Sequence, residues 1–139
     1  MNAEAIAWEQ IADRGQEFTP APLPAGISLM GPGRCYGNSG LTALGATTAP
    51  RYGYAEGFAL GSLGLWTYHA WNLTSEGVVI DRSWSAPGSR YVGVSFTEDE
   101  VRQRGPGMSL ILPDNVDLDF PWGNDLQKLP EADLQRLIC

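Results

Sequence analysis

Cys35, His69 and Asp81 are the residues whose types and order could do chemistry. His69 is the only histidine, and it opens "HAWNLTSEGVVIDRSW", which reads as a strand, a polar turn and a second strand carrying Asp81. With Thr74 to Glu76 as the loop, Leu73 faces Gly77 and His69 falls directly opposite Asp81. Gly77 suits the left-handed position that such loops require. A two-residue loop would send the pair to opposite faces. Opposed side chains lie about 5 Å apart at Cβ, near enough for the carboxylate to accept an imidazole N–H and fix its tautomer. Cys35 follows the flexible "MGPG" and begins an expected short helix, whose N-terminus favours a thiolate, as does a nearby imidazolium. The three together read as nucleophile, base and orienting carboxylate. Each also has a plain structural reading, because free cysteine is commonly a small buried hydrophobe and His–Asp pairs are often structural.

These residues need elements to hold them. Ala5, Ile6, Trp8, Ile11 and Ala12 fall at helical spacing, which predicts a helix over residues 3–14. "FTPAPLPAGISLMGPGRC" is rich in Pro and Gly and reads as an extended loop, and "RCYGNSGLTAL" as a turn entering a helix at about Cys35. "RYGYAEGFALG", "LWTYHAWNL", "GVVIDRSW" and "RYVGVSF" are short aromatic and β-branched runs, as in an antiparallel meander. Thr97 and Glu100 form a capping box that opens a helix in "TEDEVRQR". "MSLILP" reads as one more strand, "DNVDLDFPWGND" as an acidic loop and "LPEADLQRLIC" as a terminal helix. The expected fold is a single α+β domain over residues 1–139, with helices packed on a small antiparallel sheet.

Composition excludes several classes of partner. Hydrophobic residues make up 43% and charged residues 18%, which is ordinary for a soluble protein. Net charge is −7 and no basic cluster stands out, so neither phosphate backbones nor membranes are expected as partners, whereas a basic protein or peptide is. The N-terminus lacks a basic-then-apolar leader pattern, so a cytoplasmic location is expected. In such a reducing compartment a disulfide between Cys35 and Cys139 has little motive. One histidine and two cysteines without a C-x-x-C motif argue against a metal site.

The order of Cys, His and Asp, with the wording around them, resembles the papain-like superfamily and within it the transglutaminase-like core. "HAW" at His69–Trp71 and "DRSW" at Asp81–Trp84 resemble that group's H-A-W and D-x-T-W runs, and "YAEGFA" at Tyr54–Ala59 its E-G-Y-A strand. With "CYGNS" and "YVGVSF", the blocks also resemble small uncharacterised bacterial and phage proteins. The likeness covers roughly residues 30–97.

It implies a Cys35–His69–Asp81 triad for amide hydrolysis or acyl transfer on a protein or peptide, without a cofactor. The loop before Cys35 has no Gln, so the Cys35 N–H and the Asn38 amide become the candidate oxyanion donors. Tyr36 is placed to line the site mouth, and Trp71 to form core or pocket wall. Glu56 shares its strand parity with Tyr54 and Phe58 and points inward, towards Arg34 or a helix N-terminus. It would touch substrate or, the preferred reading, pin the Cys35 loop. The rival reading is a non-catalytic protein-binding factor, such as a phage or bacterial inhibitor, on the same scaffold. A third, a peptidoglycan amidase, needs an export route.

Overall fold

The computed structural model describes residues 3–45 and 52–112. Their elements run α1 (Ala3–Arg14), β1 (Gln16–Phe18), α2 (Cys35–Ala43), β2 (Gly53–Leu60), β3 (Trp66–Leu73), β4 (Val79–Ile80), β5 (Arg90–Phe96) and α3 (Glu98–Arg104). The class is α+β, with three helices on a curled five-stranded sheet among the described residues. The expected helix ending and "LPEADLQRLIC" helix, with the acidic loop, lie outside those residues.

The sheet is antiparallel but is not the expected meander. Its order is β1-β5-β2-β3-β4, so β5 returns past β4 to take the free edge of β2. The two backbones meet closely at Gly57 and Gly93, which pair directly. A Cβ on Gly93 would collide with the Glu56 carbonyl and lie 2.9 Å from the Trp71 ring. The missing side chain makes room for an indole.

The sheet curls until its ends touch. The Thr19 N–H donates to the Gly77 carbonyl (3.3 Å) and the Val79 N–H to the Thr19 carbonyl (2.9 Å), a parallel bridge that closes part of the seam. Curling protects edges that would otherwise template further pairing. β1, read as loop from its Pro-rich surroundings, is thus a strand that ends in buried Phe18.

Alternation then sorts the side chains. Phe18, Ala55, Ala59, Trp71, Leu73, Val79, Trp84 and Tyr91 fill the concave face. The convex face carries the helices. Ala7 and Ile11 of α1 pack with Phe58 and Val94, and Cys35 and Ala43 of α2 pack with Tyr54 and Ala70. α3 opens on the predicted capping box. The Glu100 N–H donates to Thr97 Oγ1 (3.2 Å), and the Thr97 N–H donates to Glu100 Oε1 (3.1 Å). The "MSLILP" strand is not formed; residues 108–112 run as turns and bends. Their amides bond to a side chain instead of a ladder. No helix among the described residues is long and apolar enough to cross a membrane.

Candidate functional site

The β3–β4 hairpin brings His69 and Asp81 together, through a register other than the expected one. Thr74 pairs with Val78, leaving Ser75, Glu76 and Gly77 as the loop, with Gly77 at φ 79°. The cause is Thr74, whose Oγ1 accepts from the Val78 and Glu76 amides and extends the ladder. Leu73 therefore faces Val79 rather than Gly77. Extending that register sets Asp81 beside Trp71 and diagonal to His69. A shift of two residues preserves the face, so the contact survives.

His69 Nε2 lies 2.9 Å from Asp81 Oδ2, with both side chains essentially sealed from solvent at 0% and 1% exposure. The same oxygen accepts from the Tyr91 hydroxyl (2.7 Å), while Oδ1 accepts from the Ser83 and Trp84 amides (3.0 and 3.2 Å). Burial pushes the Asp81 carboxyl up, but the charge and hydrogen bond of His69 and the donors Tyr91 and Ser83 outweigh it, leaving the pKa lowered. Burial first, and then Asp81, raise the Tyr91 hydroxyl far above its ordinary range, so it remains a donor. The Trp84 ring stacks on the imidazole at 3.9 Å. Tyr91 is the partner that motif reading missed; its inward parity in "RYVGVSF" was the available signal.

Cys35 does not join this pair. It begins α2, as expected, but α2 lies over the convex face, where Cys35 packs with Ala70 and Tyr54. His69 and Trp71 flank Ala70 in the strand and point to the other face. The sheet itself separates sulfur from imidazole. Cys35 is also fully buried and disulfide-bonded, contrary to expectation, and the other cysteine of the sequence, Cys139, lies outside the described residues. A disulfide sulfur has no proton to surrender to a base.

The remaining candidates have structural partners. Asn38 is not poised as an oxyanion donor, because its Nδ2 donates to the Gly31 carbonyl (2.9 Å) and Ser83 Oγ (3.0 Å). Trp71 is core. Tyr36 is half-buried with its ring 6.4 Å from that of Tyr68, and burial and then Glu56 push its hydroxyl up. Glu56 points inward as predicted, but towards neither Arg34 nor a helix. It accepts from the hydroxyls of Tyr54 (2.7 Å), Tyr68 (2.6 Å) and Ser109, and from the amides of Leu110 (2.9 Å) and Ile111 (3.3 Å). It pins residues 109–111, not the Cys35 loop. Among the described residues, no group of three or more His, Cys, Asp or Glu could hold a metal ion.

Where the strands end, the curled sheet opens into a cleft of about 520 Å³. Phe18, Leu73 and Phe96 give it apolar walls, and Gln16, Ser75 and Glu76 stand at a polar margin. No family model, curated protein or solved structure matches the chain. The likeness to the papain-like superfamily therefore rests on the sequence blocks alone.

Proposed function

We propose that this chain is a protein- or peptide-binding domain, built on a scaffold that resembles the papain-like and transglutaminase-like core, and not a thiol hydrolase. The observation that carries this reading is the separation of Cys35 from His69 by the sheet, with both fully buried. A nucleophile and its base must meet within hydrogen-bond reach and must also meet a substrate. What stands open is the cleft at the strand ends, whose apolar walls and polar margin are the usual composition of a recognition site. Glu76 at its margin and the net charge of −7 favour a basic partner.

The thiol reading retains one supporting observation, the His69–Asp81 contact predicted from the hairpin. Alkylation decides between the two. In a Cys139→Ser background, Cys35 modification by iodoacetamide is followed against pH, with and without His69→Gln. Binding alone predicts a thiol that stays slow below pH 7 in both proteins. Fast modification there that needs His69 would restore the thiol reading. Peptides selected from a displayed library on the intact protein then test the cleft. They should lose binding to Ser95→Trp, which fills it, and equal binding by that variant would remove the cleft from the proposal.

A further inference from the structure

Three polar atoms on the concave face of β3 are buried without a hydrogen-bond partner: Thr67 Oγ1, His69 Nδ1 and Trp71 Nε1. They belong to alternate residues, so they follow one another along one wall. Across from them on β2 stand Ala59, Gly57 and Ala55, their direct ladder partners. That opposite wall supplies no polar side chain and very little bulk. His69 and Trp71 are both at 0% exposure, and buried polar atoms left unpaired are rare in folded proteins.

The hydrogen-bonding character of each atom is determined. Asp81 already accepts from Tyr91, Ser83 and Trp84, and its lowered pKa makes it a carboxylate that can only accept. His69 Nε2 therefore carries the hydrogen of that contact, and Nδ1 of the neutral ring holds a lone pair. Trp71 Nε1 can only donate, and the Thr67 hydroxyl does either. The two rings lie 6.2 Å apart between centroids and are inclined by 26°, a stacked arrangement that does not join their nitrogens directly. Water accepts from an indole N–H and donates to an imidazole lone pair, and it suits a polar site of this size.

We infer that the concave wall of β3 is a water-binding site, in which ordered water bridges Trp71 Nε1 to His69 Nδ1 and continues to Thr67 Oγ1. The wall is lined on one side by hydrogen-bonding atoms and on the other by Ala and Gly, which is the composition of an internal water file rather than of a packed aromatic core.

NMR on the full-length, ¹⁵N-labelled protein tests it. His69 is the only histidine, so one set of imidazole resonances reports the ring. The expected result is a hydrogen on Nε2, an Nδ1 shift displaced from that of a free imine, and a cross-peak between the Trp71 indole proton and long-lived water. A hydrogen found on Nδ1, or no water contact at that indole proton, overturns the inference. Trp71→Phe keeps a ring and removes the donor, so the Nδ1 shift should move towards the free imine. An unmoved shift in the folded variant would rule out a shared water. The wild-type measurement stands even if that variant does not fold.

Discussion

Glu56→Gln is the substitution whose cost can be worked most fully from the structure. The carboxylate accepts five hydrogen bonds, three at Oε1 (Tyr68, Ser109, Ile111) and two at Oε2 (Tyr54, Leu110). An amide replaces one acceptor oxygen by an NH₂ group, in either of two orientations. Hydroxyls can rotate to accept from it, but a backbone N–H cannot. With the amide nitrogen in the place of Oε2 the Leu110 N–H loses its acceptor; in the place of Oε1 the Ile111 N–H does. An orphaned donor costs about 1–3 kcal/mol. Loss of charge from the remaining bonds adds roughly 1 kcal/mol more, since charge-assisted bonds are about twice as strong as neutral ones. The expected destabilisation is about 2–4 kcal/mol. Urea unfolding should show a lower midpoint with an unchanged slope. Amide exchange at Leu110 and Ile111 should accelerate by more than the global loss explains, because these residues are tied to the sheet by this side chain. A loss below about 0.5 kcal/mol, the range of ordinary surface changes, with both amides still protected would refute the anchoring role.

Asp81→Asn should cost about 3–5 kcal/mol, as expected when one partner of a buried pair is removed, and thermal melts measure it. Because the folded Asp81 pKa is lowered, its stabilisation is complete above the unfolded value of about 4 and is lost as pH falls through the folded value. Acid unfolding below about pH 4 should therefore be blunted in the variant relative to its own neutral stability. Gly93→Ala places a methyl group against the Glu56 carbonyl and the Trp71 ring. It should lose at least the 1–3 kcal/mol typical of overpacking (roughly), read by the unfolding midpoint together with near-ultraviolet dichroism of the indole. Thr97→Ala removes the α3 cap and should cost about 1 kcal/mol, with exchange rising at the Glu100 amide.

Local chemistry in the sequence was the readable part. The α1 periodicity, the Thr97–Glu100 box and the parity that groups His69 with Trp71 each depend on a few neighbouring residues, and each is realised in the structure. The His69–Asp81 contact was legible for the same reason, although the Thr74 hydroxyl moved the register by two. Spacing could not say which face of the sheet α2 would cover. Alternation separates Ala70 from His69 but assigns neither to a helix. The small Ala70 and the Asn72 side chain, which donates to the Ser39 carbonyl, make the convex face the one on which α2 rests. β5 was read as the next strand of a meander because its pairing with β2 depends on Gly57 and Gly93, two residues that look like strand breakers in isolation. "MSLILP" has strand composition, but Glu56 satisfies its amides before any ladder could.

The seam at Thr19 has a consequence for the order in which this protein can be made. β1 has no partner near it in the chain: it pairs with β5, and Thr19 then bridges to Val78. During synthesis, α1 and Phe18 therefore emerge long before any surface exists to receive them, and they wait until the chain has grown to about Phe96. The β2–β3 hairpin needs no such delay. The N-terminal segment thus completes the fold although it is the first to leave the ribosome, and until then its Trp8, Ile11 and Phe18 are exposed to whatever binds nascent apolar chain.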